Sequence, residues 1–257
     1  MEKFSQLLPN LKTLRLSGIL GTLEIRNKEA IQEKCSHVEF LQRLLEDEIE
    51  RRGQKQLALR LRRSGLDPTK TLEAFDFSFN PSINRQEIFD LATCSWVDQA
   101  DGVWLMGKSG IGKSHLAQAL GHAAARRGYD VLFVKTAKLL GHLYGGRADG
   151  TYERRLAGYL RPDVLILDDF GLKPMRPPAS EDLYEVIDGR YQRGSIILTT
   201  NRDFDEWPEL FDQPVLASAA IDRLGHGANR VTISKGKSYR ADGPRQSEQR
   251  RKLRTKK

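Results

Sequence analysis

The sequence predicts a doubly wound α/β domain with a five-stranded parallel sheet, preceded by a small all-helical N-terminal domain. Three observations lead there. Apolar residues keep helical spacing from Phe4 to Leu66. Beyond residue 81 the texture changes to short apolar runs separated by helical stretches. A glycine-rich loop sits where the first of those runs passes into a helical pattern. Strands buried on both faces read as continuous apolar segments, and intervening helices of about ten or more residues imply parallel crossovers.

Taken in order, Leu16, Ile19, Leu20 and Leu23, then Val38, Leu41, Leu44, Leu45 and Ile49, mark helix faces. Ser36 followed by Glu39 forms a capping-box pair, which predicts a helix starting near His37. Gly53 weakens the continuity of that helix. Gly65 and Pro68 break the pattern, and Phe75, Phe77 and Phe79 alternate through a connector expected to be extended. The expected organisation is a helical domain over 1–70, a connector over 71–82, an α/β domain over 83–240 and a tail over 241–257. Strands are expected at Val103–Met106, Val131–Val134, Val164–Leu167, Ile196–Thr200 and Val231–Ser234.

Composition excludes several classes. Of the 257 residues 39% are hydrophobic and 30% charged, and no apolar run approaches the roughly 18 residues of a membrane helix. The N-terminus lacks the apolar core of a secretory signal, so a cytoplasmic protein without membrane contact is expected. Cys35 and Cys94 are far apart, and His37, His115, His122, His142 and His226 fall in no metal-binding pattern. Trp96, Trp104 and Trp207 read as packing residues. The net charge of +8 points to a polyanionic partner. One concentration of it is the acid-free run Arg51, Arg52, Lys55, Arg60, Arg62 and Arg63; the other is the tail after Pro244, expected to be disordered. On a helix Arg60 and Arg63 share a face, as do Arg52 and Lys55, which suits a DNA backbone contact or a solvated surface equally.

The chemistry is concentrated in three strand ends. GKSGIGKS, from Gly107 to Ser114, matches GxxxxGK followed by Ser or Thr. Its Gly107, Ser109, Gly110, Ile111, Gly112, Lys113 and Ser114, with His115 opening the next helix, are the candidate nucleotide-binding set. Glycines let backbone amides curl around phosphate, and the helix start adds the positive end of its dipole. Lys113 is placed to neutralise terminal phosphates and Ser114 to put its hydroxyl on Mg2+. In VLILDDFG, from Val164 to Gly171, an apolar strand ends in two acids. Asp168 fits the metal-side carboxylate and Asp169 the acid that polarises an attacking water. In SIILTTNRDF, Asn201 follows another apolar strand, placed to bond the γ-phosphate or that water.

These motifs together resemble the AAA+ ATPases, and more closely the IstB-like transposition helpers, relatives of the DnaC-type helicase loaders. The likeness runs from about Leu11 to Arg240 through LKTLRLSGI, TLEAFDFSF, GKSGIGKSHLAQALG, LILDDFG, RYQRGSIILTTNRDFDEW, AAIDRL and SYR. It implies an ATP- and Mg2+-dependent ATPase that forms a homo-oligomer with ATP at subunit interfaces. Such a protein assembles on and remodels duplex DNA and recruits or stimulates a partner transposase, and hydrolysis drives disassembly or target handover. A helicase loader acting on single-stranded DNA is the alternative, and a small-molecule kinase a more distant one. By the same resemblance Asn201 corresponds to the first sensor residue and Arg223 to an arginine finger presented to a neighbour's ATP. Many AAA+ enzymes carry Glu where Asp169 stands, and the shorter side chain implies slower turnover or a shifted water. A full C-terminal helical lid is not expected, and Arg240 is the candidate substitute for its sensor arginine.

Overall fold

The computed structural model describes residues 6–233 together with Gly236, Ser238 and Tyr239; Arg240 and the basic tail lie outside the described residues, so no lid is assessed. The chain divides between Arg60 and Leu61 into two compact units.

The first unit contains α1 (Leu7–Thr13), α2 (Ser17–Glu33) and most of α3 (His37–Ser64). The capping box forms: the Ser36 hydroxyl accepts from the Glu39 amide at 3.2 Å, and the Glu39 carboxylate accepts from the Ser36 amide at 2.7 Å. Ile19, Leu23 and Leu44 make a small core, with Leu11, Leu16 and Phe40 packed against it. Gly18 is required where the helices meet, because a Cβ there would stand 2.6 Å from the Asp47 carbonyl oxygen. Beside it the buried Glu48 carboxylate accepts from the amides of Gly18 at 2.6 Å and Ile19 at 3.4 Å, capping the positive end of α2. Arg26 grips both oxygens of Asp47 at 2.7 and 2.9 Å, and these bonds hold that acid near a pKa of about 2. Gly53 does not interrupt α3.

In the second unit, residues 71–82 hold no strand and run as turns, one of them built on the Asp76 carboxylate, which accepts from the Ser78 and Phe79 amides. After α4 (Arg85–Leu91) and α5 (Ser95–Asp98) come β1 (Val103–Gly107), α6 (Lys113–Arg127), β2 (Val131–Lys135), α7 (Thr136–Asp149) and α8 (Tyr152–Leu160). They are followed by β3 (Val164–Phe170), α9 (Ala179–Arg190), β4 (Ser195–Thr200), a 3-10 segment (Phe204–Leu210), α10 (Pro214–Gly225) and β5 (Asn229–Ile233). The five strands form one parallel sheet in the order β2-β3-β4-β1-β5. All five predicted runs are strands. The last begins at Asn229 rather than Val231, because its first residues are polar and exposed at the sheet edge; Ser234 lies outside the described residues.

Alternation along the strands fills both sides of the sheet. Trp104, Leu165, Leu167 and Leu198 join Leu139, Leu143, Val186, Trp207 and Ala220 from the helices in the main core. Helix α6 covers strands from the other side so closely that a Cβ on Gly121 would lie 2.7 Å from the Ile166 methyl. Trp104 and Trp207 are fully buried and Trp96 donates to the Leu91 carbonyl, as packing residues do. At the end of α9 the buried Arg190 donates to the carbonyls of Tyr159, Leu160, Pro162, Asp163 and Ser195, joining the starts of β3 and β4. Burial pushes its pKa down to about 10, which leaves it charged at neutral pH. Among the described residues no helix is long and apolar enough to cross a membrane.

Candidate nucleotide site

In a parallel sheet ligands collect beyond the carboxyl ends of the strands, near the point where strand order reverses. Here β1 lies between β4 and β5, and the loop that follows β1 leads into α6 at the centre of that edge. Gly107 and Gly112 take positive φ, 139° and 103°. A Cβ at Gly107 would come 2.3 Å from the Ile233 carbonyl oxygen, and one at Gly112 would come 2.8 Å from the Phe75 ring. Both positions therefore require glycine. Lys113 curls back over the loop, its ammonium donating to the carbonyls of Gly107 at 2.6 Å and Lys108 at 2.8 Å. Ser114 follows in the first turn of α6, while Ser109, Gly110 and Ile111 form the loop's crest.

His115 turns away from the loop. Its Nε2 lies 2.9 Å from the Thr71 carbonyl, which can only accept, so the proton sits on Nε2. Burial, opposed in part by that bond, pushes its pKa below the usual histidine value. The Phe75 ring packs edge-on against it at 5.0 Å. Asn80 reaches over the crest, donating to the Ile111 carbonyl at 3.2 Å.

On β3 the pairing with β4 jumps from Leu167–Leu198 to Phe170–Thr200, so that Asp168 and Asp169 together oppose Thr199. Asp169 takes the left-handed conformation, φ 57°, within this bulge. The Thr199 hydroxyl donates to the Asp168 carboxylate at 2.7 Å and accepts from the Asp169 amide at 3.0 Å, fixing the bulge. Asp168 is 3% exposed, whereas the Asp169 side chain remains one-third exposed and pairs with Lys135 at 3.1 Å. Thr136 donates to the Asp168 carbonyl. Asn201, exposed, follows the end of β4 at the same edge of the sheet.

The phosphate loop, Asp168, Asp169 and Asn201 thus stand at the carboxyl ends of three neighbouring strands, β1, β3 and β4. Arg223 does not. It closes α10 beside a cavity of about 110 Å3 whose wall includes Gly102, Gly194 and Ile196, at the opposite end of the strands. Its Nε lies 2.7 Å from Asp188 Oδ1, an ion pair by distance that is not aligned as a hydrogen bond. The six basic candidates all lie on α3: Arg51, Arg52, Lys55, Arg62 and Arg63 are exposed, Arg60 is half-buried, and Arg52 pairs with Glu48. Thr199, Lys135 and Asn80 were not singled out from the sequence, and Phe75 only as part of the connector's alternation. Their roles depend on strand register or on the fold of the connector; only the polar ends of the apolar runs before Lys135 and Asn201 hinted at them.

The residues present fit a magnesium-bound nucleoside triphosphate. Positive-φ glycines make a concave loop that side chains would fill, the Lys113 ammonium is folded over that loop, and the nearby donors are hydroxyl and carboxylate oxygens, the hard ligands Mg2+ takes alongside phosphates.

Residues 9–247 match the family described as IstB-like ATP binding protein. An insertion-sequence ATP-binding protein of Mycobacterium tuberculosis is 44% identical over 231 residues, 90% of this chain and 92% of that one. The corresponding protein of insertion sequence IS21 from Pseudomonas aeruginosa is 37% identical over 240 residues, 93% of this chain and 89% of the other. Among solved structures, AMPPCP-bound DnaA from Aquifex aeolicus superposes with a TM-score of 0.56 at 20% identity, covering 69% of this chain and 54% of that one. DnaI superposes with a TM-score of 0.57 at 20% identity, covering 66% and 95%. The structural neighbours share the P-loop AAA+ fold alone. The insertion-sequence proteins match the helical unit as well as the sheet, and on that span the chain belongs to the IstB-like ATP-binding protein family.

Proposed function

We propose that this protein is an ATP-hydrolysing, duplex-DNA-binding helper of transposition that assembles through ATP at its subunit interfaces and recruits or stimulates a partner transposase. The observation that carries the hydrolytic part is the bulge anchored by Thr199, which gives two adjacent acids different surroundings.

In this reading the loop from Gly107 to Ser114 binds the phosphates, and Lys113 exchanges its two carbonyl partners for β- and γ-phosphate oxygens. Ser114 and Asp168 would hold Mg2+, which when bound offsets charge on the phosphates. The partly exposed Asp169 orients and polarises the lytic water. The water oxygen bonds to the γ-phosphorus, the bond from that phosphorus to the β–γ bridging oxygen breaks, and ADP and phosphate leave with the water's proton passed to solvent or phosphate. Lys135 must yield Asp169 for this, since an acid paired to an ammonium is a poorer acceptor. Asn201 contacts the γ-phosphate or the water.

Arg223 serves a neighbour. Gly102, in the wall of its cavity, and Gly107, at the phosphate loop, are separated by the length of β1, roughly 16 Å. An arginine at the far edge suits a site completed by a second copy, where it would stabilise charge in the transition state. The basic residues of α3 supply the DNA contact, of the backbone-neutralising kind that fixes position without reading sequence. The helicase-loader reading has fold likeness to DnaI behind it, at 20% identity, whereas the insertion-sequence proteins are 37–44% identical over about nine-tenths of the chain.

The test is ATP turnover by the full chain with and without duplex DNA. Hydrolysis stimulated by duplex and lost in Asp169→Asn supports the proposal; equal stimulation by single strands only, or phosphorylation of a small acceptor, removes it.

A further inference from the structure

We infer that Asn80 is a positioning residue for the phosphate loop, its side chain holding the Ile111–Gly112 peptide so that the Gly112 amide faces a bound phosphate. The inference rests on the reading of that loop as the phosphate site and adds to it a residue from outside the motif.

Ile111 is the last loop residue before Gly112, the N-cap of α6, which stands at φ 103° and ψ 4°. The Asn80 side chain donates through Nδ2 to the Ile111 carbonyl at 3.2 Å. A carbonyl only accepts, so the nitrogen of the Asn80 amide is the atom that faces it. In a trans peptide, as here, the carbonyl and the following amide hydrogen point to opposite sides of the bond. Drawing the Ile111 carbonyl toward Asn80 therefore turns the Gly112 amide away from Asn80, where it joins the amides at the start of α6 in meeting an anion.

This peptide is the one that needs holding. A peptide unit turns over by changing ψ before it and φ after it, and the change costs least when the following residue is glycine, to which both signs of φ are open. Turned over, the unit would show the phosphate an oxygen in place of a donor. The preceding Gly110–Ile111 unit is tied as well, its carbonyl accepting from the Tyr239 amide at 2.8 Å, but a residue with a side chain follows it.

Asn80 is itself firmly set. It is 2% exposed, so water does not compete for its bond. Pro81 follows it, which restricts its backbone to extended conformations, and its own carbonyl accepts from the Ile83 amide at 3.1 Å. The preceding Phe79 packs edge-on against the Tyr239 ring at 5.0 Å. Gly236 closes the other side so tightly that a Cβ there would stand 2.2 Å from Asn80 Oδ1, which leaves the side chain little room to swing aside.

The experiment compares wild type, Asn80→Ala and Asn80→Asp in the full chain, by calorimetric titration with ADP and by steady-state ATP hydrolysis. Asn80→Ala removes the donor; Asn80→Asp keeps the size and puts a second acceptor in its place. ADP is expected to bind about tenfold more weakly to Asn80→Ala and at least as weakly to Asn80→Asp. KM for ATP should rise in proportion while kcat falls less than threefold, and the titration stoichiometry, which counts folded sites, should stay at the wild-type value. ADP affinity within twofold of wild type in Asn80→Asp overturns the inference, because donation would then not matter. Lowered kcat or stoichiometry with KM unchanged also overturns it, as does failure of both variants to fold, since Asn80 would then act through the fold alone. A wild-type chain that binds no ADP removes the phosphate-site reading instead.

Discussion

Lys113, Asp169 and Thr199 each test a different part of the site. Lys113→Ala is expected to abolish nucleotide binding in a calorimetric titration, because no other described side chain is seen to donate an ammonium to the loop. Asp169→Asn should keep ATP affinity and lose on the order of 10²-fold or more in kcat, the usual contribution of a general base. Thr199→Val keeps volume but strips both bonds that fix the bulge, so it should cost about 1–3 kcal/mol of stability and lower turnover, with Thr199→Ser restoring both. A chemical-denaturation curve alongside the assay checks the pair. The first two residues were legible in the sequence because each belongs to a contiguous motif whose spacing carries the chemistry. Thr199 and Lys135 were not, because they meet the acids only through register: Lys135 opposes Asp168 across β2 and β3, and Thr199 opposes two residues across a bulge that hydrophobic pattern does not encode.

At the level of elements, helix α6 carries the phosphate loop at its start and clamps residues 67–71 along its side, through His115 to Thr71, His122 to the Asp67 carbonyl, and Gln118 to the Asp67 amide. Burial holds the His115 pKa below 6.5, so its neutral form is favoured in the folded state. Its contribution to stability is full above that value and declines as pH falls through it, since the unfolded chain then binds a proton the folded one resists. Thermal melts between pH 5 and 7.5 should show this decline in the wild type and a flatter profile in His115→Gln. Arg190→Met should lower stability by about 3 kcal/mol, because buried carbonyls at the starts of β3 and β4 lose their donor. The elements themselves were readable where pattern is local: the capping box announced α3, and apolar runs announced β1 to β4. The connector was not, since alternating phenylalanines suggest extension while side-chain bonds from Asp76 fold the segment into turns.

For the whole molecule, the family match spans both units, so the helical unit is part of what these proteins share rather than an appendage. If the basic residues of α3 bind duplex by backbone neutralisation, log affinity should fall linearly with log salt, with a slope of up to about 5 for six contacts. Anisotropy across 50 to 300 mM salt, repeated with Arg62 and Arg63 changed to Ala, checks this; an unaltered slope would exclude those two from the contact. Lys113 also bears on how a nucleotide is taken up. Its ammonium is already satisfied by main-chain oxygens, so the nucleotide does not meet a bare charge but competes for one. In the proposed reading affinity measures a swap of partners, and once the nucleotide leaves, the lysine returns to the carbonyls of its own loop.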